Sequence, residues 1–204
     1  MTADLFGPST ALGLLPMPDA EVVHFGHLTL PQQDNVVLSQ LIREVDWRAE
    51  PITVWGKTYM QPRLIAWFGD AGRDYRYSGI AMSAAPWTPL LLGIKEAVER
   101  TCQHSFNSVL LNYYRDERDS MGFHSDDEAE LGPRPVIASL SLGATREFVF
   151  KHKHRKDLKP FKVPLESGSL LLMAGDTQKN WKHGIEKQRG SLGPRVNLTF
   201  RTIR

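Results

Sequence analysis

From residue 108 onward the apolar residues fall into short runs, rich in β-branched and aromatic side chains and closed by glycine, proline or charge. The runs are "SVLLNYY" (108–114), "PVIASLSL" (135–142), "REFVFK" (146–151), "GSLLLMAG" (168–175) and "RVNLTFR" (195–201). They have the length of strands, and such residues suit a pleated, half-buried surface. Two helical periodicities precede them. After Pro31, the residues Leu38, Leu41, Ile42 and Val45 recur at three- and four-residue steps, which predicts an amphipathic helix ending before Pro51. Thr88 is a candidate N-cap with Pro89 at the first helical position, and Ile94, Val98 and Cys102 continue one face. Helices first and strands afterwards, without alternation, favour an antiparallel sandwich or jelly roll with helices packed on one sheet.

The 204 residues suffice for one domain with a sizeable core, and 41% hydrophobic against 24% charged residues is the balance of a folded chain. Residues 1–20 are broken by proline and glycine and lack periodicity, so an irregular leader is expected there. The single cysteine, Cys102, excludes an internal disulfide framework, and no N-terminal stretch reads as a signal peptide. No apolar run approaches the roughly 20 residues that cross a bilayer. A monomeric protein that is not secreted is therefore expected, cytoplasmic or nucleoid-associated in a bacterium and nuclear in a eukaryote. A net charge of +2 says little about partners, but charge is concentrated in "KHKHRKDLKPFK" (151–162). There Lys151, Lys153, Arg155, Lys156, Lys159 and Lys162 face a lone Asp157.

The segment "GFHSDDEAEL" (122–131) raises the question of a metal. His124 and Asp126 are two apart, so on an extended segment both side chains point to one side and can meet one ion. Taken alone the pair is weak, and a solvated acidic turn is the simpler reading. A third candidate, His183 in "NWKHGI", follows a strand-like run and a turn, where a jelly roll can return it beside the first pair. Two histidines and one carboxylate make the facial triad of non-haem Fe(II) oxygenases, and the absence of thiolate ligands argues against structural zinc. Such enzymes commonly draw electrons from 2-oxoglutarate, whose far carboxylate needs a buried cation. Arginine suits that task because its planar fork binds carboxylates in two places and stays protonated when buried. In "RVNLTFR", Arg195, Asn197, Thr199 and Arg201 share one face of a strand, with Val196, Leu198 and Phe200 opposite. Asn112 and Tyr114 repeat the pattern. Without the triad, "RVNLTFR" reads equally as an edge strand with a solvated polar face.

Together these residues resemble the AlkB-type Fe(II)/2-oxoglutarate dioxygenases, and within them the branch that repairs duplex DNA. The resemblance is carried by "VWGKTYMQPR" (54–63), "YRYSG" (75–79), "LLNYYRDERDSMGFHSDDE" (110–128), "PVIASLSLGATREFVFKHK" (135–153), "GSLLLMAGDTQKNWKHGI" (168–185) and "PRVNLTFR" (194–201). It leaves the first fifty residues without a clear counterpart. It implies an α+β, mainly β fold: a double-stranded β-helix (jelly roll) core over 108–204, with substrate-recognition segments and supporting helices over 21–107 in the same dioxygenase domain.

The resemblance further implies that His124, Asp126 and His183 bind iron and form the catalytic centre. Asn112, Tyr114, Arg195, Thr199 and Arg201 would hold 2-oxoglutarate, with Arg195 on its distal carboxylate and dioxygen as the other co-substrate. The implied reaction hydroxylates an N-methyl group on a damaged base such as 1-methyladenine or 3-methylcytosine, or acts on etheno adducts. The hydroxymethyl product then collapses to formaldehyde and the repaired base, while 2-oxoglutarate becomes succinate. Because the lesion lies on the pairing edge, the base must leave the helix to react.

For substrate binding, the resemblance places Tyr75 and Tyr77 in the base pocket, with core aromatics of a strand as the plainer alternative. Asp127, assisted by Glu128, would contact the flipped base. Trp55, beside Gly56, stands where the duplex-repair relative has a wedging phenylalanine; a tryptophan plugging the sheet edge is the other reading. Lys57, Arg63, Arg76 and the 151–162 loop would grip phosphates, which positions a duplex without reading sequence. The loop reads otherwise as a soluble hairpin. The partner implied is alkylated DNA, duplex or single-stranded. The same chemistry on RNA or a protein side chain, or a catalytically inert nucleic-acid-binding relative, are the alternatives.

Overall fold

The computed structural model describes residues 11–54, 57–72, 75–77, 80–82 and 84–204, for 11–12, 52–54, 57, 75–77 and 80–82 by backbone only. The chain begins with β1 (Ala11–Leu14), β2 (Glu21–Phe25) and α1 (Asp34–Glu44). A hairpin, β3 (Pro51–Val54) and β4 (Lys57–Met60), leads to β5 (Leu64–Gly69). A second hairpin, β6 (Tyr75–Tyr77) and β7 (Ile80–Met82), precedes α2 (Pro89–Cys102). Then come β8 (Ser108–Tyr114), β9 (Met121–His124), β10 (Ile137–Gly143), β11 (Arg146–His152), β12 (Phe161–Leu165) and β13 (Leu170–Ala174). The short α3 (Thr177–Asn180), β14 (Trp181–Ile185) and β15 (Arg195–Arg201) complete it.

The strands from β8 onward pass between two antiparallel sheets, which makes the jelly roll. The larger sheet has the order β1-β2-β13-β10-β15-β8-β5, and the smaller β12-β11-β14-β9. β15 lies between β10 and β8, pairing Leu198 with Leu140 and with Leu111, so it is central and not an edge. All seven of its residues are buried.

Alternation along the central strands separates two environments. Ala138, Leu140 and Leu142 of β10, Val109 and Leu111 of β8, and Val196, Leu198 and Phe200 of β15 form one apolar layer with α1 and α2. The helices supply Val37 and Leu41 from α1, and Leu91, Ile94, Ala97 and Val98 from α2, at the three- and four-residue spacing of one helical face. The opposite face of the larger sheet looks into the sandwich. There Ile137, Leu171, Met173 and Tyr114 meet Phe148, Phe150, Val163, Leu165, Trp181 and Ile185 of the smaller sheet.

Local chemistry sets the element ends. Thr88 Oγ1 accepts from Leu91 N–H at 3.2 Å with Pro89 behind it, and Gln103 closes α2 in the left-handed region at φ 50°. α1 carries Asp34 in its first turn and Arg43 in its last, which complements the helix dipole. It stops at Glu44, short of Pro51, because Val45 turns extended and Arg48 then pairs with Ile65. Gly143, at φ 94°, makes the turn out of β10; a Cβ there would lie 2.3 Å from the Pro194 carbonyl oxygen.

The irregular leader expected over residues 1–20 is in part a strand. Ala11–Leu14 pair with β2, and Met17 is buried against the smaller sheet's core. Leu15, Leu14 and the apolar alternation of β2 supply what the proline and glycine content concealed: an edge strand needs only three or four residues.

Candidate metal centre

Two histidines reach the same point from adjacent strands of the smaller sheet. His124 ends β9 and His183 sits in β14, and the two are direct partners in the strand register. Their rings are 4.5 Å apart between centroids. Gly184, beside His183, permits this approach: a Cβ there would lie 2.9 Å from the Met121 carbonyl oxygen. Asp126 follows β9 by two residues and turns inward, 1% exposed at the side chain. One ligand atom from each of His124, Asp126 and His183 lies within 4.8 Å of the others.

The surroundings prepare these groups for a cation. His124 Nδ1 lies 2.9 Å from the Gly122 carbonyl oxygen, the geometry in which Nδ1–H donates and Nε2 keeps its lone pair. Nε2 is 3.5 Å from Asp126 Oδ1. Burial, with the neighbouring His124 adding to it, pushes His183 down to about 3, so the ring is neutral at physiological pH. Burial alone would raise the Asp126 carboxyl; the Arg201 guanidinium and the two histidines outweigh it and hold Asp126 well below the usual carboxylate range. Asp126 Oδ2 accepts from Arg201 Nη2 at 2.9 Å, and its backbone N–H donates to Gln178 Oε1 at 2.9 Å. Its other oxygen, Oδ1, is buried, and among the described residues only His124 Nε2, at 3.5 Å, approaches it. An ionised oxygen in that state is costly unless a cation sits against it. Two imidazoles and a carboxylate fit a divalent first-row metal, and iron(II) in particular.

Across the sandwich, the inward face of the larger sheet carries a buried cation. Arg195 is fully buried, and its Nη2 donates to Ser141 Oγ at 2.9 Å. Among the described residues its Nε and Nη1 have no partner within hydrogen-bond geometry and it makes no ion pair, the Tyr114 side chain being its nearest polar neighbour besides Ser141. The guanidinium carbon lies 5.0 Å from the Tyr114 ring centroid. Burial is the largest cause, with the charge of Arg146 adding to it, that brings Arg195 down to about 10, still protonated at neutral pH. A buried, protonated arginine without a counter-charge is a receptor for a carboxylate. Beside the histidines, Asn112, Tyr114, Ser139, Asn197 and Thr199 line a cavity with Leu110, Met121 and Phe148. Asn197 Nδ2 donates to Ser139 Oγ at 2.8 Å, and Thr199 Oγ1 donates to Asn197 Oδ1 at 2.9 Å.

The family model described as the 2OG-Fe(II) oxygenase superfamily matches residues 21–201. The chain belongs to that superfamily. The match begins at residue 21, so it takes in β2 and α1, which the motif resemblance left out. Membership implies iron(II), 2-oxoglutarate and dioxygen, and the groups just described suit the first two. The mouse alpha-ketoglutarate-dependent dioxygenase alkB homolog 3 is 46% identical over 186 residues, covering 87% of this chain and 64% of that protein. The human protein of the same name is 45% identical over 175 residues, covering 82% and 60%. The chain thus spans less than two thirds of those relatives' length. The human DNA oxidative demethylase ALKBH2 is 41% identical over 176 residues, covering 82% and 67%. A solved structure titled "The structure of OsALKBH1" superposes with a TM-score of 0.62 over 93% of this chain and 99% of that one; at 19% identity it speaks for the fold alone.

Arg63 departs from its expected place. It is buried at 2% exposure, and its Nε donates to Asn112 Oδ1 at 2.7 Å, so it orients a cavity residue from within and does not reach phosphate. Arg201 lines the cavity but is committed to Asp126. Asp127 is exposed beside Asp126, and Glu128 is half-buried at the start of the short 3-10 turn Ala129–Leu131. Trp55 and Gly56 lie outside the described residues, as do the side chains of Lys57, Tyr75, Arg76 and Tyr77. The basic loop joins β11 to β12, and several of its charges are engaged. Lys151 sits 3.6 Å from the Phe123 ring centroid, Arg155 pairs with Asp157 at 2.9 Å and Lys162 with Glu147 at 2.8 Å. Lys156 and Lys159 are exposed and make no ion pair among the described residues.

Sequence reasoning missed Ser139, Ser141, Gln178 and Arg146. The serines alternate with leucines in "SLSL", a signal open to reading once the strand is placed between two others. Arg146 donates to the carbonyls of Asp119 and Glu186 at 2.9 and 2.8 Å, tying the loop after β8 to the end of β14. Nothing in the spacing of "REF" announces that.

Proposed function

We propose that this oxygenase removes alkyl groups from damaged bases in DNA, 1-methyladenine and 3-methylcytosine first. The observation that carries the reading is a pair of buried, unsatisfied groups inside one sandwich: Asp126 Oδ1, which lines the cavity at the metal centre, and the Arg195 guanidinium, which lies behind the cavity-lining Tyr114. One asks for a cation and the other for a carboxylate, as iron(II) and 2-oxoglutarate supply. The names of the relatives, a DNA oxidative demethylase among them, support a nucleic-acid substrate.

When bound, iron(II) with 2-oxoglutarate and dioxygen supplies the two-electron oxidation of a C–H bond, 2-oxoglutarate leaving as succinate and carbon dioxide. His124, Asp126 and His183 would hold the metal, and Arg195 would take the distal carboxylate beside Ser141 and Tyr114. Arg201 keeps Asp126 ionised and oriented, while Arg63 does the orienting for Asn112. Leu110, Met121, Phe148 and Ile185 dry the cavity wall, which strengthens each charge interaction inside. The hydroxymethylated base then loses formaldehyde without help from the chain. Exposed Lys156 and Lys159 would grip phosphates, and Trp55 would fill the stack behind an extruded base.

Incubation with iron(II), 2-oxoglutarate and matched methylated duplex DNA, single-stranded DNA and RNA tests the reading. Formaldehyde and repaired base from DNA are expected; their absence from both DNA forms contradicts it. Trp55→Ala is expected to weaken action on duplex far more than on single strands, and equal losses would contradict the wedge.

A further inference from the structure

Lys153 of the basic loop reaches back to the segment that carries Asp126. Its Nζ lies 3.1 Å from Asp127 Oδ2 and donates to the Gln178 carbonyl oxygen at 2.8 Å. The lysine side chain is 17% exposed and the aspartate 62%, so the anchored partner is the lysine, and the carboxylate faces solvent next in sequence to the cavity-lining Asp126. Gln178 ties this pair to the ligand set, because its side chain accepts from the Asp126 backbone N–H. A single buried residue of α3 therefore braces both aspartates, one by its carboxamide and one through Lys153.

We propose that Lys153 is a positioning residue that sets the choice between cationic and neutral damaged bases by holding Asp127 and offsetting its charge. The proposal rests on the base-dealkylation reading. 1-Methyladenine and 3-methylcytosine carry a positive charge at neutral pH, whereas 1,N6-ethenoadenine is neutral. A base presented at the mouth meets Asp127 with one oxygen already engaged by an ammonium group. The remaining oxygen still accepts a hydrogen bond from a base edge, but the net attraction for a cation is reduced. The brace thus broadens acceptance toward neutral adducts. Loss of Lys153 leaves Asp127 uncompensated and favours the cationic lesion.

The experiment compares kcat/KM for 1-methyladenine and ethenoadenine placed at the same position of one short single-stranded oligonucleotide. Phosphate contacts are common to both substrates and cancel in the ratio. Lys153→Met is expected to raise the ratio of cationic to neutral turnover by about two- to fivefold, the range of a half-exposed ion pair. Lys153→Arg, which keeps the charge, is expected to restore the wild-type ratio. In an Asp127→Asn background the Lys153→Met effect on the ratio is expected to vanish. If both rates in Lys153→Met fall together and the ratio holds, Lys153 only grips phosphate and the proposal is overturned. If the wild-type protein turns over neither oligonucleotide, the dealkylation reading itself falls and takes this one with it.

Discussion

The two faces of the larger sheet are made by alternate residues of the same strands, yet they obey different rules. On the outer face Leu198 meets Leu140 and Leu111 and belongs to one apolar layer with the helices. One residue away, Thr199 and Asn197 on the inner face join a hydrogen-bonded row with Ser139, and Arg195 lies buried without a counter-charge. The outer face is stable because its apolar side chains are buried against one another and the helices. The inner face is incomplete by itself, and its unsatisfied groups describe the shapes and charges it receives. Stability and chemistry are thereby separated at single-residue spacing, which a strand permits and a helix does not.

Substitutions that touch one face only can break this contrast. The largest effect is expected for His124→Ala, which removes a ligand atom: turnover should fall by on the order of 10³-fold or more, several kcal/mol of charge stabilisation being lost, while the thermal unfolding midpoint of the metal-free protein stays nearly unchanged. Unaltered turnover would remove His124 from the metal. Leu198→Ala should do the reverse. Urea unfolding is expected to show a loss of about 2–5 kcal/mol, because the helix-facing layer cannot collapse around the cavity, with KM for 2-oxoglutarate unmoved in the folded fraction. A KM that rises with the lost stability would show the faces to be coupled.

The mildest effect is on pH. His183 is held neutral at about 3 and His24, buried on β2, is also lowered by burial despite the nearby Glu166. The unfolded chain therefore takes up protons near pH 6.5 that the folded one refuses, so stability is full above that pH. It declines as pH falls toward 3, by at most about 1.4 kcal/mol per pH unit for each such histidine. Chemical unfolding of the metal-free protein between pH 7.5 and 4.5 should show that decline, and His183→Phe should flatten it.

How far the sequence disclosed these faces depended on strand length and on what each residue had for a neighbour. β8 and β15 are seven residues long, the second with strict alternation, and the runs at 108–114 and 195–201 coincide with them. The N-cap of α2 was equally open, since Thr88 and Pro89 act on their own helix. β9 and β14 are shorter, and "MGFH" and "WKHGI" spend their positions on histidine and glycine in place of β-formers. His124, Asp126 and His183 were legible by residue type and spacing. Arg63 was not, because an isolated arginine reads as surface until Asn112 is seen to receive it. The inward turn of Lys153 was hidden in the same way within a run of like charges, and Gln178 has no pattern of its own because its work is done through the backbone of Asp126.

The claim that Arg195 waits on the inner face for the far carboxylate of 2-oxoglutarate is tested most directly by calorimetric titration of that acid into manganese-loaded protein. Wild-type protein should bind one equivalent, and Arg195→Met should bind on the order of a hundredfold more weakly, as removal of one partner of a buried charge pair does. Equal affinity in the two proteins would contradict it.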